Sequence, residues 1–373
     1  MLENLKQLLM TLDAKVDFDQ QTQIFENHRR ALCWEQTDRL PLVVSFPYPN
    51  SNRYMPYPRN ETFDNPEKML FNEFVYAFGT SILLQSEIND DLPFTIRPDF
   101  GTVIIASLFG GNLEQRGDNP PWIRHFETLE EFKSVFEKDP MDFSQGICQQ
   151  VINRYKFYHE VLAVYPNLQK SIKVVLPDLQ GPIDSLELLR GSEIYTDFCL
   201  NPELVENGLR LMAKAQVGFA KYLQQFTTDN FNGFSHQQAV TIKGNILIRN
   251  DSAIMISPEM YAEQVAPHDE FVLKELNGGG IHSCGKIDFN VPEIFRLKSL
   301  NCFDFGQSYL NDVETIYPLA REKKIPLTRY RPNINELISG KITERFPTGV
   351  SLVYEASSYS EAKLVVRSYK SNK

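Results

Sequence analysis

Eight short runs of β-forming residues, separated by longer amphipathic stretches, are what most restricts the folds open to this chain. The runs are Pro41 to Phe46, Thr80 to Gln85, Ile172 to Pro177, Asn230 to Ser235, Gly280 to Cys284, Cys302 to Gly306, Ile325 to Tyr330 and Val350 to Tyr354. Strands that alternate with helices lie parallel, because each helix returns the chain to the same end of the sheet. Eight such units predict a (β/α)8 TIM barrel. Between the runs, Asn65-Pro66-Glu67, Asn201-Pro202-Glu203 and Ser257-Pro258-Glu259 each set a capping residue before proline and an acid in the first helical turn. From about Pro202 to Phe226, Leu204, Leu209, Leu211, Met212, Ala215 and Phe219 recur at helical spacing and form a core-facing side.

Nothing in the sequence resembles a linker, a repeat array or a low-complexity tract, so residues 1–373 are expected to form one barrel domain, with 1–40 as an N-terminal helical extension. A hydrophobic content of 42% is ample for its core. The net charge of -10 disfavours nucleic acid or an anionic membrane as a partner, and no stretch is apolar enough to span a bilayer. Glu3, Asp13, Asp17 and Asp19 interrupt the opening segment, which does not resemble a secretion signal. The cysteines, at 33, 148, 199, 284 and 302, are odd in number and scattered, which points to a reducing, cytoplasmic setting. Oligomerisation is open.

Two irregular segments break the repeat. Residues 86–126 are rich in Pro, Gly and Asp, and 236–256 include Ile246-Leu247-Ile248 as an extra strand candidate. Both are expected to be long active-site loops. In a barrel the site forms where strands end and loops leave for the helices. That rule selects Asp178 and Gln180 after the third run, His236 after the fourth, His282 and Cys284 at the fifth, Gln307 after the sixth, Arg329 and Arg331 at the seventh and Glu355 after the eighth.

His282-Ser283-Cys284-Gly285, entered through Gly278-Gly279-Gly280-Ile281, is the most informative of these. Residues two apart on a strand face the same way, so the imidazole and thiol converge on one point where a zinc ion can sit. The alternative is a structural pair, since cysteine is among the residues most often buried as a small hydrophobe.

Asp178-Leu179-Gln180-Gly181-Pro182, Leu189-Arg190-Gly191-Ser192-Glu193, Ile256-Ser257-Pro258-Glu259-Met260-Tyr261, Pro267 and Ile281-His282-Ser283-Cys284-Gly285 follow one another in an order that resembles the uroporphyrinogen decarboxylase superfamily, over roughly residues 27 to 370. The resemblance implies a single (β/α)8 barrel, and either cofactor-free decarboxylation or zinc-dependent methyl transfer between a corrinoid and a thiol. The decarboxylases carry an Arg-rich N-terminal segment, whereas this chain has Pro47-Tyr48-Pro49-Asn50-Ser51-Asn52-Arg53-Tyr54 after its first run. A porphyrinogen with its many carboxylates would be poorly neutralised there.

The methyltransferase branch resembles this chain in His282 and Cys284, but its third zinc ligand is a cysteine where this chain has Glu355. Carboxylate oxygen also binds zinc, so His282, Cys284 and Glu355 are the expected metal ligands. Cys302 is the other candidate for the third ligand, but its place at the start of a strand is expected to make it a buried structural thiol. On this reading Asp178 and His236 orient substrate or relay a proton. Gln180, Arg97, Arg249, Gln307, Arg329 and Arg331 bind an anionic tail, and a partner protein carries the corrinoid. The alternatives are a carboxy-lyase of the uroporphyrinogen decarboxylase type and a non-catalytic tetrapyrrole- or corrinoid-binding barrel.

Overall fold

A computed structural model of the chain describes residues 1–47, 54–76, 84, 87–229 and 232–371. Twelve strands are described: β1 Leu42–Ser45, β2 Thr95–Ile96, β3 Asn112–Glu114, β4 Trp122–Arg124, β5 Lys173–Val174, β6 Phe234–Gln237, β7 Val240–Lys243, β8 Leu247–Arg249, β9 Gly279–Ser283, β10 Leu300–Phe305, β11 Leu327–Tyr330 and β12 Val350–Glu355. Six form one parallel sheet in the order β1-β12-β11-β10-β9-β8, and β2 pairs in parallel with β5. Backbone hydrogen bonds tie this pair's segments to both edges of the six-stranded sheet. The Asp91 amide donates to the Leu42 carbonyl at 2.9 Å, and the Gly181 amide to the Arg249 carbonyl at 2.8 Å. The chain is therefore α/β with eight parallel strands in two sheets, and among the described residues strand pairing is not continuous around a ring.

The expected run at Thr80–Gln85 lies outside the described residues except for Leu84, which is helical; the second parallel strand is Thr95–Ile96. A second difference has a clearer physical cause. The expected strand Asn230–Ser235, whose first two residues lie outside the described set, instead feeds β6, which pairs antiparallel with β7. The strand that joins the parallel sheet is β8, within the segment expected to be a loop. The β6–β7 hairpin packs against β9, β10, β11 and the helix Phe18–Leu32. Two glycine positions let the connection from β7 to β8 pass close beside the start of β9. A Cβ on Gly279 would lie 2.3 Å from the Ile246 carbonyl oxygen, and one on Gly244, whose φ is +101°, would lie 2.5 Å from Gly279 Cα. No side chain fits at such separations.

Helices Glu3–Lys15 and Phe18–Leu32 make up the expected extension. Leu5, Leu8, Leu9 and Leu12 bury one stripe of the first, and the Asp17 carboxylate caps the second by accepting from the Asp19 and Gln20 amides. Of the three proline-led starts, Asn65 and Ser257 cap as the sequence suggests. Asn201 turns its amide to Asp197 at 2.7 Å instead. Helix Pro202–Leu223 buries Val205, Leu209, Met212, Ala215 and Phe219. Among the described residues, no helix is long and apolar enough to cross a membrane.

Candidate metal centre and the adjoining cleft

Register builds the centre. Arg249, His282, Asp304 and Thr328 stand side by side on β8, β9, β10 and β11, so their side chains share one face. All four are buried. Arg329, one residue further along β11, would ordinarily face the other way. A shift of register between Leu327 and Tyr330 and a φ of +58° at Arg329 turn its guanidinium onto the same face, where it meets the Asp304 carboxylate.

Asp304 is the hub of this row. Its Oδ2 lies 2.5 Å from His282 Nδ1, and its Oδ1 accepts from Thr328 Oγ1 at 2.6 Å and Arg329 Nε at 2.9 Å. Burial opposes ionisation of Asp304, but the Arg329 charge and the His282 hydrogen bond outweigh it and hold the carboxyl well below the usual range. Burial lowers the His282 pKa, reinforced by the Arg329 charge and opposed by Asp304. The imidazole is therefore neutral near pH 7. With Nδ1–H donated to Asp304, the Nε2 lone pair is directed away from the hub.

That lone pair meets two more ligand types. Cys284 Sγ lies 3.4 Å from His282 Nε2, and Asp251 Oδ1 lies 3.5 Å from the same nitrogen. Asp251, His282 and Cys284 form the one metal-capable cluster among the described residues, with all three ligand atoms within 4.8 Å of one another. Atoms bound tetrahedrally to zinc at about 2.0–2.3 Å stand roughly 3.3–3.8 Å apart. Asp251 Oδ1 also accepts from the Cys284 amide at 2.7 Å, which fixes the two loops together. Burial, with the Asp251 charge, pushes the Cys284 thiol up to about 12. Without a cation the thiol is thus protonated at neutral pH, and cation binding releases that proton. The buried Asp184 carboxyl in turn accepts from the Asp251 and Ser252 amides at 2.9 and 2.8 Å.

Glu355 is not in this cluster. It ends β12, exposes 61% of its side chain and pairs with Arg331 at 2.6 Å, so Asp251 occupies the position expected of Glu355. Three strands separate β12 from β8, too far around the sheet for its carboxylate to replace that of Asp251. Cys302 is fully buried beneath the β6–β7 hairpin with its thiol directed to the Lys243 carbonyl, a structural position.

A cleft of about 710 Å³ opens at the carboxyl ends of β1, β2, β11 and β12. Arg97, Asp178, Arg331 and Glu355 line it, together with Glu73, Asp99 and Trp122. Asp178 connects the cleft to the row of buried charges, with Oδ2 3.7 Å from Arg97 and Oδ1 2.7 Å from Arg249. Gln180 bridges to Arg249 through its backbone, and its buried Oε1 has no hydrogen-bond partner. Gln307 is committed elsewhere, because its side-chain oxygen accepts from the Gly285 amide at 2.5 Å and holds the turn after Cys284.

His236 departs from expectation most. It sits on β6, facing a separate pocket beside Phe94 and Lys173 at the amino ends of β2 and β5, the opposite end of the sheet from Cys284. The inserted hairpin is the reason, since it replaces the outward-running strand that would have carried His236 to the cleft. No protein-family model matches this chain, and neither does any curated protein.

Proposed function

We propose that the chain is a metal-dependent enzyme on a closed (β/α)8 barrel of the uroporphyrinogen decarboxylase superfamily. Its proposed reaction is methyl transfer between a corrinoid and a thiol substrate. The observation that carries this reading is the spacing of Asp251 Oδ1, His282 Nε2 and Cys284 Sγ, which suits one tetrahedral zinc with a fourth position left for substrate. Zinc held there would supply the Lewis acidity that lets a substrate thiol ionise at neutral pH.

The chain's own residues have definite tasks on this reading. Asp304 fixes the His282 tautomer and orientation, and Arg329 keeps Asp304 ionised. The charged walls of the cleft, Arg97 and Arg331 facing Asp178 and Glu355, hold polar groups of the substrate. A bound methylcorrinoid would supply the electrophilic methyl group and its cobalt fragment would be the leaving group, while the thiol proton would pass to solvent. The corrinoid would be delivered by a partner protein.

Decarboxylation of a porphyrinogen is the weaker reading, because Arg97 and Arg331 already pair with Asp178 and Glu355. The test is methyl transfer from methylcobalamin to a panel of small thiols, with zinc-loaded protein and with D251A and C284S. Metal-dependent thioether formation lost in both variants supports the reading; turnover that survives chelation and both substitutions points to a carboxy-lyase or other metal-free chemistry.

A further inference from the structure

The cleft at the carboxyl ends of β1, β2, β11 and β12 has a neighbour. A side pocket of about 220 Å³ adjoins it, and Arg59, Glu73 and Asp99 line both hollows. Those three groups are therefore reached from two sides. Thr62, Asn72 and Asp118 add polar atoms to the side pocket.

Most charges around the cleft are already matched. Arg331 meets Glu355 at 2.6 Å, Arg116 meets Glu114 at 2.7 Å and Arg249 meets Asp178 at 2.7 Å. Arg59 and Asp99 differ. Arg59 Nη1 lies 3.9 Å from Asp99 Oδ2, too far for a hydrogen bond, and 44% and 25% of the two side chains are open to solvent. Asp99 Oδ1 accepts from the Gly101 amide at 3.2 Å and from Arg97 Nη2 at 3.5 Å, but among the described residues neither Oδ2 nor the Arg59 guanidinium makes a hydrogen bond. Unfilled donors of positive charge thus stand beside an unfilled acceptor of negative charge. With the matched pairs set aside, Arg59 and Arg97 stand against Asp99 and Asp118, so the junction has no excess positive charge to select a simple anion. Burial and Asp99 raise the Glu73 carboxyl to about 8, so near pH 7 it is uncharged and repels neither end of a guest.

We propose that this junction seats the zwitterionic head of an α-amino acid. The ligand carboxylate accepts from the Arg59 guanidinium, and the ligand ammonium donates to Asp99 Oδ2. Both ligand charges hang from one carbon, which suits two protein charges held 3.9 Å apart. The ligand side chain extends into the larger hollow. Taken with the reaction proposed above, this makes the thiol substrate an amino acid, and that much rests on the earlier reading. The binding site itself does not, because Asp251, His282 and Cys284 are not among the residues that line either hollow.

The probes are S-methylcysteine, methylthiopropionate and methylthioethylamine, which share one thioether body and carry both charges, the carboxylate alone and the ammonium alone. Each is titrated by calorimetry into the full-length protein after treatment with a chelator. S-methylcysteine is expected to bind saturably at one site, roughly tenfold more tightly than either single-charge probe, as for one added charge-assisted hydrogen bond. R59Q and D99N should each weaken it roughly tenfold, to the level of the probe that keeps the remaining contact. Both variants preserve the fold, since Arg59 is largely open to solvent and asparagine can still accept from the Gly101 amide. Absence of saturable S-methylcysteine binding overturns the proposal. So does a single-charge probe that binds as tightly, which describes a plain anion or cation site, or S-methylcysteine affinity unchanged in both variants. Zinc binding and thiol methylation in a protein that fails these titrations would strike this inference alone, whereas amino-acid binding by a protein that takes no zinc would leave it standing.

Discussion

His282 Nδ1 lies 2.5 Å from the Oδ2 of a fully buried Asp304, and the two residues are register partners on adjacent parallel strands. This pairing decides which imidazole nitrogen is free. It aims Nε2 at Cys284 and Asp251, and it depends on Arg329 to keep the buried carboxylate charged.

D304N keeps the size of the side chain but removes its charge. Zinc affinity is expected to fall roughly ten- to a hundredfold, as for other partners that orient a ligating histidine. Because Arg329 loses its buried counter-ion, stability should drop by about 3 kcal/mol. Competition with a chromophoric chelator and denaturant titration measure the two effects, and an unchanged zinc affinity would contradict the role given to Asp304.

Asp251 and Glu355 separate cleanly. D251A should weaken zinc binding by a factor of about a hundred or more, the loss of one of three protein ligands. E355A should leave it unchanged and alter only binding in the cleft, where its partner is Arg331. The reverse pattern in equilibrium dialysis would restore Glu355 as the ligand.

Glu73 gives the cleft a pH dependence. Burial and the neighbouring Asp99 raise its carboxyl to about 8, against opposition from Arg97 and Arg59, while the unfolded chain has the ordinary value near 4.5. Below about 4.5 both states are protonated. As pH rises from there to about 8, the unfolded chain releases the proton and the folded chain retains it, so stability is lost across that window and levels off above it. E73Q, which can still accept from the Arg97 amide, should match the native protein near pH 4.5 and exceed it by about 1–2 kcal/mol at pH 8. Parallel urea titrations at the two pH values check this; a constant difference would refute it.

Gly279 tests the approach of the β7–β8 connection to β9. G279A places a methyl group against the Ile246 carbonyl, and the expected cost is roughly 2–4 kcal/mol. A variant as stable as the native chain would mean that the segment leading into β8 does not approach β9 as described.

Much of the architecture was legible because alternation of strand and helix is written in residue pattern: β1, β5, β9, β10, β11 and β12 all fall within or overlap the expected runs. The fourth run misled because an antiparallel hairpin has the same period-two signature as a barrel strand, and only tertiary packing tells them apart. That error hid Asp251. Had Leu247–Arg249 been taken as the sheet strand, the rule that places sites just past strand ends would have pointed to Asn250 and Asp251. Asp304 was hidden differently, since a carboxylate inside an apolar strand shows its purpose only once register sets it beside His282. His282 and Cys284 were visible from their spacing together with their place at the end of a strand.

The most direct test is the zinc content of the purified protein, measured by mass spectrometry after exhaustive dialysis, for the native chain, D251A, H282A and C284S. One zinc per chain in the native protein, lost or strongly reduced in all three variants whose circular dichroism is native, is the predicted result. A native chain that retains no zinc when offered the ion, or variants that keep it in full, would contradict the metal centre.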